Sequence, residues 1–147
     1  MFNKAAITMT ALAVTSTLVL TACSSTKLST VESCALIDEL AVEHSIKEKW
    51  EMAYIAILAE NTEPVVDALE AASIVYREVS EQTGDRGLRT ALNTSVENYQ
   101  KFIEIIKDRS PNEPTFDAEV GELTDEMDDG HVEYIRRACP GSIVDPD

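Results

Sequence analysis

Beyond residue 28 the apolar positions recur every three or four residues rather than every second one. Pro and Gly fall between the periodic runs, which predicts an all-α chain. Ser29-Thr30-Val31-Glu32 has the form of a capping box and opens the first helix, which extends to about Glu60. Its expected inward face is Ile37, Leu40, Ala41 and His44, then Met52, Ile55, Leu58 and Ala59. Glu48 and Glu51 interrupt that face, so a kink or break is expected near Lys47-Glu48-Lys49. The second helix starts at Glu63-Pro64, where proline fits the first turn, and turns Val65, Leu69, Ala72, Tyr76 and Val79 inward. Gly84 is read as its stop, through left-handed backbone geometry.

The third helix runs from near Asp85 to Arg109, with Leu88, Leu92, Val96, Tyr99, Ile103 and Ile106 on one stripe and Pro111 beyond it. The fourth begins near Thr115 and carries Phe116, Val120, Leu123, Met127, His131, Tyr134 and Ala138, with Val132 and Ile135 at the shoulder. Gly130 marks a kink or a close contact, and Cys139-Pro140-Gly141 ends the element. Four helices with short links are expected to form an antiparallel four-helix up-and-down bundle with a kinked first helix, spanning residues 30 to 139 and followed by a tail from 140 to 147.

The segment before this domain has a different character. Lys4 precedes a run from Ala5 to Leu20 that has no acidic residue, too short and too threonine-rich for a lasting membrane span. That is the layout of a secretory signal. It closes with Leu20-Thr21-Ala22-Cys23, followed by polar Ser24-Ser25-Thr26-Lys27. This ending resembles the lipobox of bacterial lipoproteins. The resemblance implies cleavage between Ala22 and Cys23, diacylation of Cys23, and anchoring of the extracytoplasmic protein to the cell membrane. Residues 1–22 are then a signal peptide and 23–29 a lipidated tether.

Charge narrows the partners. The chain has 12 Lys+Arg against 27 Asp+Glu, a formal net charge of -15. Removing residues 1–22 takes away Lys4 alone, leaving 11 cations and a charge of -16. Nucleic acid is excluded as a partner class, because backbone binding depends on cationic side chains. The same balance opposes a domain lying flat on an anionic membrane. It serves solubility, or the attraction of a cation or a basic partner.

With Cys23 given to lipid, Cys34 and Cys139 remain of the 3 cysteines, an even pair suited to an exported setting. An up-and-down bundle puts the start of its first helix beside the finish of its fourth, and these hold Cys34 and Cys139. A disulfide near the chain ends is therefore expected, with two buried free thiols as the alternative.

Catalytic chemistry is sparse. The chain holds no phosphate-cradling glycine loop, no His-Glu-x-x-His and no Cys-x-x-Cys. Asp125 to Gly130 superficially suggests a calcium loop, but Met127 and Arg136 would occupy positions that require oxygen ligands. One weak constellation remains. If Cys34 faces Cys139 in an antiparallel pair, His44 and Glu48 come near Asp128 and His131, a set able to hold a transition metal. Hydrogen-bonded core histidines are the competing account. The expectation is a non-enzymatic lipoprotein without cofactor that binds or modulates another envelope component. The alternative is an extracytoplasmic carrier of a small ligand or metal ion.

Overall fold

The computed structural model describes residues 27–108, 115–126 and 129–142. It is all-α, but these residues form six helices, not the expected four: α1 (Thr30–Glu43), α2 (Ile46–Leu58), α3 (Glu63–Gln82), α4 (Arg86–Asp108), α5 (Phe116–Glu126) and α6 (Gly130–Ala138). The four-helix up-and-down bundle is thereby corrected. The first and fourth expected helices are each divided in two.

The first division has a clear cause. The α1 stripe of Ile37, Leu40 and Ala41 is buried, as expected. Continued without a break, the helix would carry Glu48 and Glu51 toward the core, and burying unpaired carboxylates is costly. Instead the chain breaks at His44 and Ser45, just before the place expected. Ser45 takes a left-handed backbone with φ 52°. The break rotates α2 so that Ile46, Ala53 and Ala56 are buried while Glu48 and Glu51 are exposed. Met52 and Ile55, expected inside, are turned outward.

The break changes phase without changing course. Ser33 of α1 donates to Thr83 at 2.8 Å, and Lys49 of α2 pairs with Asp67. An advance of 16 residues on one side matches a retreat of 16 on the other. Both α1 and α2 therefore run antiparallel to α3. On its other side α3 packs against α4, where Tyr76 and Tyr99 stack with ring centroids 5.9 Å apart. Burial pushes the Tyr99 hydroxyl's pKa up, and a hydrogen bond with Tyr76 opposes that shift.

The second division falls between Glu126 and Gly130. An Asp-Gly sequence is a poor helix interior and a good helix entrance, so Asp129 and Gly130 begin a new element. Expected core residue Met127 lies outside the described residues. In α6 the buried position is Ile135, which the stripe had put at the shoulder.

One main core joins α1, the start of α2, α3, α4 and α6 through Ile37, Leu40, Ile46, Val75, Val79, Leu88, Leu92 and Ile135. The disulfide between Cys34 and Cys139 closes it, with Cα atoms 5.3 Å apart. Beside that bond Ser142 Oγ donates to Asp38 at 2.6 Å.

Candidate functional site

The described chain enters already docked. Leu28 N–H donates to the Gln82 carbonyl at 2.9 Å, and Gly84 N–H donates to the Leu28 carbonyl at 2.7 Å. Gly84 does not end α3 by a left-handed turn, since Gly141 is the described glycine with positive φ. Its role is close approach: a Cβ there would lie 3.1 Å from the Leu28 carbonyl oxygen and 3.2 Å from Lys27 Cβ. The capping box at Ser29 and Glu32 is formed, with both reciprocal bonds present. The Ser29 hydroxyl, then its N–H, hold the Glu32 carboxyl pKa below the ordinary value.

Asp85 binds this end of the molecule together. One carboxylate oxygen accepts from Leu88 N–H at 3.0 Å, capping α4, and from Tyr134 of α6 at 3.1 Å. The other accepts from Thr30 of α1 at 2.8 Å. The Leu88 N–H first, then the Thr30 hydroxyl, keep the Asp85 carboxyl pKa below the carboxylate norm. Tyr134 is shifted upward, chiefly by its hydrogen bond to Asp85. Three helix starts or faces thus meet on one side chain, which ties α1, α4 and α6 together. Sequence reasoning placed a helix start near Asp85 but missed its contacts with Thr30 and Tyr134, which no spacing encodes.

Of the residues singled out for chemistry, Cys34 and Cys139 are joined. Cys23 lies outside the described residues, as does Asp128. His44 is half-buried at the C-terminal cap of α1, and Glu48 is exposed on α2. His131 is half-buried and stands with Nε2 3.4 Å from Asn98 Nδ2 of α4. The helix α6 packs chiefly along α4, and the disulfide joins its end to α1, so the register assumed from Cys34 and Cys139 does not carry back to His44. Among the described residues no group of three or more His, Cys, Asp and Glu side chains is placed to hold a metal ion.

The prominent surface feature is α2. Beyond Ile46 its described buried residues are the small Ala53 and Ala56, and five large apolar side chains remain outside: Trp50 is 40% exposed, Met52 62%, Tyr54 70%, Ile55 67% and Ile57 59%. Trp50, Tyr54 and Ile57 follow one flank at helical spacing, and Met52 and Ile55 lie on the other. Single exposed apolar residues are ordinary, but three along one flank of a short helix, two of them aromatic, make a patch of the kind that marks an interaction surface. The spacing of 50, 54 and 57 is legible in the sequence, but not which side of the helix faces out. A shallow groove of about 390 Å³ lies between α3 and α4, lined by Glu70, Ser73, Ile74, Arg77, Gln100, Ile103 and Glu104, and is open to solvent. Among the described residues no helix is long and apolar enough to cross a membrane.

No family model, curated protein or solved structure matches this chain.

Proposed function

We propose that this chain is a membrane-anchored envelope lipoprotein, without enzymatic activity, that binds or modulates another envelope component through its helical domain. The anchor is acylated Cys23, supported by the apolar run and the Leu20-Thr21-Ala22-Cys23 ending. The observation that carries the binding role is the row of exposed large apolar side chains on α2 in a strongly acidic protein. A solvated domain gains nothing from exposing them, whereas a protein interface is built around such residues. The carrier reading draws less support, because the α3–α4 groove is shallow and solvent-open where ligand sites are deep and largely apolar.

Intact mass spectrometry of the protein from bacterial membranes tests the anchor. A chain beginning at Cys23 with a diacylglyceryl mass, and loss of membrane association in Cys23→Ser, are expected. An unprocessed or unacylated chain in the soluble fraction would overturn it. Native mass spectrometry from the same membranes tests the binding role. A protein at fixed stoichiometry supports it, and a small ligand lost on denaturation would replace it with the carrier reading.

A further inference from the structure

The exposed face of α2 has a definite position and a definite charge. The start of α1 and the end of α3 stand together beside Leu28, where the chain enters the domain. Since Lys49 lies level with Asp67, α2 runs along the opposite half of α3. At 1.5 Å per residue its apolar residues stand between about 25 and 36 Å along the helix axis from Leu28. The patch is therefore on the half of the body remote from the chain's entry.

The surrounding charge is acidic. Between residues 43 and 63 the chain carries Glu43, Glu48, Glu51, Glu60 and Glu63, all exposed, against Lys47 and Lys49. Lys49 is paired with Asp67. A second copy of this chain would bring the same acidic rim and the same net charge of -15 against it, which opposes self-association. An anionic lipid surface is opposed for the same reason.

We propose that α2 is the docking face for an amphipathic helical segment of another protein, apolar on its contact face and flanked by Lys or Arg. Such a segment seats its apolar residues on the flank formed by Trp50, Tyr54 and Ile57 while its cations face the acidic residues around α2. This is helix-on-helix recognition with apolar anchors and a complementary charged rim. The inference rests on the envelope-lipoprotein reading only for where the partner resides; the surface chemistry stands without it.

Trp50 is the chain's only tryptophan, so it reports directly on the patch. The test uses the full-length protein in non-ionic detergent micelles, titrated with a short synthetic helix of Leu and Lys, Leu recurring at helical spacing. A saturable blue shift of Trp50 emission is expected, and the same helix with Glu in place of Lys gives none. The double variant Tyr54→Glu, Ile57→Glu should bind the Leu/Lys helix at least about tenfold more weakly, as truncating interface anchors does. That direction is decisive, because purely electrostatic attraction would strengthen with two added carboxylates. Val31→Glu, an exposed apolar position on α1, should leave binding unchanged. Circular dichroism of each variant should match the parent, since all three side chains are exposed.

No shift, equal shifts with the two peptides, or undiminished binding by the double variant would overturn the docking face. So would the same Trp50 shift from phosphatidylcholine or phosphatidylglycerol vesicles alone, or concentration-dependent self-association abolished by the double variant. The lipoprotein reading fails on a different result, the absence of an acyl mass on Cys23. The two failures are therefore distinguishable.

Discussion

The Tyr134 hydroxyl donates a hydrogen bond to Asp85 Oδ1 at 3.1 Å, and its ring crosses the space a Cβ on Gly87 would need. A Cβ there would stand 2.1 Å from that hydroxyl and 2.3 Å from the ring carbon that carries it. Gly87 thus gives up helix propensity so that α6 can lie close on the start of α4. In Gly87→Ala the tyrosine must leave, and the substitution should destabilise the domain by about 1 kcal/mol despite alanine's better propensity. In a Tyr134→Ala background the same change should become stabilising by up to about 1 kcal/mol. Urea denaturation of the four proteins in this cycle reads the sign reversal, and two substitutions that simply add would refute the contact.

Asp85 serves three helices at once, so its removal should exceed the loss of an ordinary cap. Asp85→Ala removes the bond to Leu88 N–H and strands the Thr30 and Tyr134 hydroxyls, for an expected loss of about 2 kcal/mol. Thr30→Val should cost less, because the cap on α4 remains. Denaturant midpoints rank the two, and equal losses would contradict the shared role.

The same residue sets an acid response. The folded Asp85 carboxyl has a lowered pKa, so it binds protons less readily than the unfolded one. Its stabilisation is complete above the unfolded value, near pH 4, and is lost as pH falls through the lower folded value. Stability measured by urea midpoint from about pH 6 to pH 2 should decline with a slope that is shallower in Asp85→Asn. Glu32, lowered by Ser29, adds to the decline in the same direction.

The disulfide closes nearly the whole described chain, with a sequence separation of 105 between its cysteines. Cys34→Ser with Cys139→Ser should lower stability by about 4 kcal/mol, mainly by releasing the unfolded chain. Amide exchange should show the greatest loss of protection in α6. It is the shortest helix described, and the bond fixes its end against α1.

The rotation of α2 makes opposite demands on neighbouring positions. Ala53→Leu should cost about 1–3 kcal/mol by overpacking a fully buried site. Ile55→Ser, two residues on and exposed, should change stability by less than about 0.5 kcal/mol. Thermal melts of the two variants test which face is inside, and the reverse order would restore the stripe expected from sequence.

The sequence by itself determined the helical class, the capping box at Ser29, and the buried stripes of α3 and α4. Each follows from local chemistry: a side chain bonding its own backbone, or an apolar period kept unbroken from Leu69 to Val79 and from Leu88 to Val96. The expected pairing of Cys34 with Cys139 is formed, although the up-and-down topology that argued for it is not the one the six helices adopt. The sequence signalled a break near Lys47-Glu48-Lys49, but only tertiary structure placed it at Ser45 and chose the buried face of α2, since Met52 and Ile55 satisfy a helical stripe as well as Ala53 and Ala56 do. What chose between them was the close fit of small side chains against α3 and the cost of burying Glu48 and Glu51. It also decided that α6 lies along α4, with His131 beside Asn98, and that Asp85 joins α1, α4 and α6. Contacts of that kind link residues tens of positions apart, and no local period records them.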